Sequence, residues 1–167
     1  MGTPRCSGRL LLLSVVMALL LPGCSWWPFG PDDVDEGVSA DTVFWRAYSD
    51  PGTFDAWLGT QTVSGKAAGC LENRSRALFD LSESKLRECG QLVSGTSTWT
   101  ACHQEREQYN NGGVIARDLA QTLRRTTRFD QTDAGRYLIA LRSAIGSSDW
   151  NAVIDLARRN LPPVQCD

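Results

Sequence analysis

Six cysteines, one histidine and a cluster of arginines are the residues of this 167-residue chain whose types could do chemistry. Thiol redox catalysis wants closely spaced cysteines such as Cys-x-x-Cys, and no two of Cys6, Cys24, Cys70, Cys89, Cys102 and Cys166 stand that close. Zinc would have to gather Cys102, His103, Cys89 and one more ligand, without the paired spacings that mark zinc sites. A Ser-His-Asp triad would have to use His103, which sits in the charged run CHQERE with no Gly-x-Ser-x-Gly elbow before a helix. The NGG at Asn111 to Gly113 lacks the lysine and the preceding strand of a phosphate loop. The sequence therefore points away from an enzyme, with no metal and no cofactor expected.

What remains is binding. Arg117, Arg124 and Arg128 recur at helical spacing with Arg125 beside them. Such a stripe could dock phosphate-bearing lipid, an anionic glycan or an acidic protein surface, or it could be a row of solvated arginines. Trp45 and Trp57, with Phe44 and Phe54, either cover one end of the core, the reading we prefer, or stay partly exposed as a partner site of the kind tryptophan often makes.

Helices must position these groups. From Lys66 to Cys89, residues Leu71, Leu78, Phe79, Leu81, Leu86 and Cys89 fall on one broad helical face, and Gly90 follows as a C-terminal cap. A continuous helix there separates Cys70 from Cys89 by about 28 Å, whereas a disulfide needs Cα atoms within about 7 Å; a break near Ser82 or Ser84 would reopen that pairing. The linker GQLVSGTSTWTA returns the chain to a second helix starting near Ala101. We therefore expect Cys89 to bond Cys102, clipping a helical hairpin, and Cys70 to bond Cys166. Asn110 to Gly113 reads as a kink or turn, since Asn and Gly tolerate left-handed backbone. Ile115, Leu119 and Leu123 continue the helical stripe beyond it.

Short helical turns are expected at Thr42 to Tyr48 and Thr53 to Leu58, broken at Pro51 and Gly59. Two clear helices follow, one near Asp133 to Ile145 ending at Gly146, the other capped by Ser148 and stopped by Pro162 and Pro163. Alternation of period two is weak and confined to Leu92 to Trp99. The fold class is mainly α: a small antiparallel helical bundle stapled by two disulfides and preceded by a flexible tether. Antiparallel packing of consecutive helices brings Cys166 toward Cys70, in agreement with the pairing.

The first forty residues bear on location. Arg5 and Arg9 precede an apolar run from Leu10 to Leu21, too short to span a bilayer comfortably and of the length of a secretory signal. Leu21, Pro22, Gly23 and Cys24 resemble the lipobox of bacterial lipoproteins. The resemblance implies cleavage before Cys24, lipid on its sulfur, and residues 1–23 as signal peptide. Ser25, where aspartate would favour retention in the inner membrane, implies the periplasmic face of the outer membrane. Trp26, Trp27 and Phe29 suit a bilayer interface or a disordered tether. Residues 24–40 form the lipidated cysteine and an acidic tether, with Asp32, Asp33, Asp35 and Glu36; residues 41–167 form the helical periplasmic domain. All 19 acidic residues and 15 of the 17 Lys and Arg follow the cut; with four acids in the tether, the domain holds 15 of each sign. That balance argues against nucleic acid as a partner.

Glu83-Ser84 resembles the catalytic pair of helical lytic transglycosylases, but the family's later Gly-Leu-Met-Gln-type stretch is missing, which leaves Glu83 as a solvent-facing helix residue. The expected function is a non-catalytic adaptor or accessory factor, held to the membrane by lipid on Cys24 and serving a periplasmic or outer-membrane complex of the secretion, conjugation or assembly type. The alternative is an inhibitor or immunity lipoprotein acting on a toxin or cell-wall hydrolase.

Overall fold

The structure, a computed structural model, describes residues 37–163; Cys24, the tether before residue 37 and Cys166 lie outside the described residues. Five α-helices follow one another: α1 Ala40–Ser49, α2 Phe54–Leu58, α3 Ala67–Cys89, α4 Ser97–Leu123 and α5 Asp133–Asn160, with a single 3-10 turn, Phe129–Gln131, between α4 and α5. Among the described residues the only β pairing is an isolated parallel bridge between Val38 and Val63.

α1 begins where the Thr42 N–H donates to Ser39 Oγ at 3.2 Å, and it buries Ala40, Val43, Phe44 and Ala47 at helical spacing. α3 and α4 make the most extensive contact. Their antiparallel register is legible in successive pairs: Ser75 Oγ donates to the Gly113 carbonyl at 2.8 Å, Ser82 Oγ to that of Arg106 at 3.4 Å, and Lys85 meets Glu105 at 2.9 Å. The Cys89–Cys102 disulfide closes the hairpin end, with Cα atoms 5.6 Å apart. This bond between the end of α3 and the beginning of α4 is the one expected from an unbroken first helix. Cys70 is buried on α3.

Two local expectations change. Asn110 to Gly113 does not turn: α4 runs unbroken from Ser97 to Leu123. Gly112 and Gly113 are there for close approach, since a Cβ on Gly112 would sit 3.1 Å from Leu161 Cδ2 and 3.2 Å from Leu78 Cδ1, and one on Gly113 2.9 Å from Phe79 Cε1. Helix α4 also starts earlier than Ala101, because Thr96 caps it by accepting the Trp99 N–H at 3.2 Å. The apolar face of α3 is narrower than the sequence suggests. Cys70, Leu71, Arg74, Ser75, Leu78, Ser82 and Cys89 are buried, whereas Leu81 and Leu86 stand exposed. Toward the disulfide, α3 has α4 as its neighbour and buries only the seam that faces it.

α5 starts where Thr132 Oγ1 accepts the Gly135 N–H at 3.0 Å. Gly135 cannot carry a side chain, because its Cβ would lie 1.8 Å from the Phe129 carbonyl oxygen. Gly146 has φ 78° and ψ 170°, so α5 is two helical halves joined at a bend, as its glycine leads one to expect. The ends of α5 show how sharp the bend is. Ala134 is held at Asp118 and Asn160 at Gln108, both on α4. Those anchors are about 15 Å apart along α4, whereas a straight helix from Ala134 to Asn160 would cover about 39 Å. The second half therefore returns, placing Trp150 against α1, where its ring stacks on Tyr48 and its Nε1–H donates to the Ser49 carbonyl at 3.0 Å. Phe44, Phe54, Leu71, Leu78, Leu119, Phe129, Leu138 and Trp150 are fully buried, each worth roughly 1.5–3 kcal/mol of transfer free energy.

Candidate functional site

The end of α4 sets the site. Arg125 has φ 57°, and its N–H donates to the Thr122 carbonyl at 2.8 Å. The Thr126 N–H and hydroxyl both donate to the Gln121 carbonyl, at 3.2 and 2.7 Å. A left-handed residue after a helix is usually glycine; an arginine there costs roughly 1–2 kcal/mol. The chain then passes Arg128 into the 3-10 turn, which α2 holds through one carboxylate. Asp55 Oδ1 accepts the Phe129 N–H and Oδ2 the Asp130 N–H, both at 2.9 Å.

Between this latch, the segment 59–65 and the end of α4 lies a groove of about 1010 Å³. Leu58, Val63, Ala68 and Leu123 give it apolar surface; Gln61, Thr62, Ser64, Thr127 and Gln131 give it hydrogen-bonding groups; Arg125 and Arg128 give it charge. Thr127 and Gln131 also border a shallower recess that contains Arg117, so the two depressions adjoin.

The four arginines singled out by spacing are all exposed but not equivalent. Arg124 pairs with Glu72 on α3, and that hydrogen bond holds the Glu72 carboxyl below the usual range. Arg117 meets Asp118 Oδ1 through Nε at 3.1 Å and through its terminal nitrogen at 3.0 Å. Asp118 is buried, and its other oxygen accepts the Ala134 N–H at 3.0 Å. Arg128 pairs with Asp130. Arg125 makes no ion pair among the described residues. The structure thus divides the stripe, bringing Arg125 and Arg128 to the groove, Arg117 to its neighbour, and Arg124 to a bridge across α3 and α4.

Trp45 and Trp57 are half-buried and packed against the core. Trp57 lies against Phe54 with Arg46 over its ring, and the guanidinium groups of Arg74 and Arg158 lie 6.0 and 5.4 Å from the Trp45 ring. Arg74 is a buried cation that sequence reasoning missed. It stacks 4.1 Å over Phe44 and faces Asp41 at 3.9 Å, and burial lowers its pKa to about 10. The Asp55 latch was missed as well, because its partners are 74 and 75 residues away and no local pattern announces them.

Among the described residues no group of three or more His, Cys, Asp or Glu side chains is placed to hold a metal, and no helix is long and apolar enough to cross a membrane. Glu83 is exposed on α3. Comparison with protein-family models, curated proteins and solved structures returned no match.

Proposed function

We propose that this chain is a lipid-anchored protein of the bacterial envelope that serves as a non-catalytic adaptor or accessory factor for a periplasmic or outer-membrane complex. The observation that carries the reading is the groove, where Arg125 is kept in a backbone conformation that glycine would adopt without strain and makes no ion pair among the described residues. Strained backbone of this kind tends to accompany a binding role. Leu21 to Cys24 supports the anchor by its resemblance to a lipobox. One acyl chain holds a membrane weakly and two hold it stably, so a multiply acylated Cys24 would keep the domain within reach of one surface. The acidic segment before residue 37 would set that reach, raising the effective concentration of the groove near membrane-bound partners. Ser25 after the lipidated cysteine supports the periplasmic face of the outer membrane.

The second staple belongs to the same proposal. Cys70 is buried, and α5 returns along α4 so that Leu161 packs beside Leu78, two helical turns along α3 from Cys70. Five further residues lead to Cys166, enough extended chain to cover that distance. We assign Cys166 as the partner of Cys70; peptide mapping without reduction should recover that link.

Affinity capture from mildly crosslinked, detergent-solubilised envelope tests the function, comparing the native chain with Cys24→Ser. A stoichiometric membrane-complex component that diminishes with Cys24→Ser supports the adaptor. A soluble toxin or wall hydrolase captured equally by both forms contradicts it and identifies an inhibitor.

A further inference from the structure

We propose that the groove binds an extended peptide in which acidic and aliphatic side chains alternate. The adaptor reading supplies the source of the peptide, a segment of the partner protein; its chemistry comes from the groove alone.

Three features converge on that ligand. The first is charge: Arg125 and Arg128 border the groove, and Arg125 has no ion pair among the described residues, so a carboxylate arriving there gains a charge-assisted hydrogen bond without displacing an internal partner. The second is apolar surface in the same groove, from Leu58, Val63 and Leu123. An extended chain turns successive side chains to opposite faces, so alternate residues can meet the arginines and the apolar surface in turn.

The third feature is backbone. The Val38 N–H donates to the Thr62 carbonyl at 2.9 Å, and the Ser64 N–H donates to the Val38 carbonyl at 3.2 Å. The Thr62 carbonyl and the Ser64 N–H therefore face Val38, while the Ser64 carbonyl already accepts the Ala67 N–H at 3.0 Å as the chain enters α3; between them, the alternation of extended backbone turns the Val63 N–H and C=O to the other edge. Neither Val63 group has a hydrogen bond among the described residues. An extended peptide can pair with that edge as an added strand, gaining affinity from the main chain and specificity from alternate side chains. A polynucleotide fits less well, since the domain carries 15 charges of each sign.

Fluorescence anisotropy with the full chain in detergent tests the inference. The probe is a labelled nonapeptide alternating glutamate and valine; controls replace glutamate by glutamine or segregate the two residue types into blocks. The alternating acidic peptide should bind best and lose affinity as salt rises. Arg125→Gly should weaken it about tenfold, the scale of one charge-assisted hydrogen bond, while the melting temperature stays equal or rises because glycine adopts φ 57° freely.

Unchanged binding by Arg125→Gly, or equal binding of either control, would overturn the inference. So would a groove that ignores the peptide but binds anionic phospholipid vesicles in an Arg125-dependent way, which would make the ligand a lipid headgroup. The two proposals fail separately. An envelope partner captured undiminished by Arg125→Gly refutes the peptide site and leaves an anchored adaptor that docks through another surface; Arg125-dependent peptide binding with no Cys24-dependent partner does the reverse.

Discussion

Asp55 and Arg125 both border the groove, one as a latch on backbone N–H groups and the other as an exposed cation in left-handed backbone. Asp55 spends both carboxylate oxygens on backbone N–H groups of the 3-10 turn, so Asp55→Ala should cost about 2–3 kcal/mol in urea unfolding and loosen residues 128–131 in hydrogen exchange. Asp50 gives the pH response. The Thr53 hydroxyl, and then Arg142 and Arg46, hold its carboxyl below 3.8. A carboxyl whose pKa is lowered on folding contributes stability above its unfolded value, and that contribution fades as pH falls through the folded one. Native protein and Asp50→Asn should therefore differ in melting temperature near neutrality and converge below about pH 4; a gap that widens in acid would contradict the assignment. The arginines were legible from spacing, but their division into bridge and groove was not. That division depends on Glu72, Asp118 and Asp130, of which only Asp118 and Asp130 lie near them in sequence.

Helices and caps were read where the signal is local and misread where tertiary packing decides. Gly146 acts as sequence punctuation would have it act, bending α5. Asn110 to Gly113 carries the same composition as a turn, yet α4 passes straight through, because Leu161, Leu78 and Phe79 require bare backbone on one side. Glycines in helices thus have two meanings that composition cannot separate but substitution can. Gly69, inside α3, has nothing within 4 Å of a built Cβ, so Gly69→Ala should stabilise the protein by about 0.5–1 kcal/mol through helix propensity. Gly135→Ala drives a methyl into the Phe129 carbonyl and should destabilise by about 3 kcal/mol or prevent folding. Denaturant melts of the two variants should move in opposite directions.

At the scale of the molecule, the helical class followed from periodicity, and the Cys89–Cys102 bond followed from the length of one unbroken helix. The groove did not, because it forms where the segment 59–65 and the chain after α4 meet, and neither has a repeating pattern to read. Replacing Cys89 and Cys102 together by serine opens a 13-residue loop and should lower stability by about 2–3 kcal/mol while leaving the peptide site intact, since the disulfide sits at the far end of the α3 and α4 hairpin. The central claim is that an anchored domain presents this groove to an envelope partner. The most direct test places a photocrosslinking residue at Gln131 in the groove, and at Leu81 on the exposed side of α3 as a control, in growing cells. The account predicts that Gln131 traps an envelope protein through an acidic extended segment, that Leu81 does not, and that Cys24→Ser reduces the yield. Crosslinking of the same partner from Leu81 alone, or from Gln131 regardless of Cys24, would contradict it.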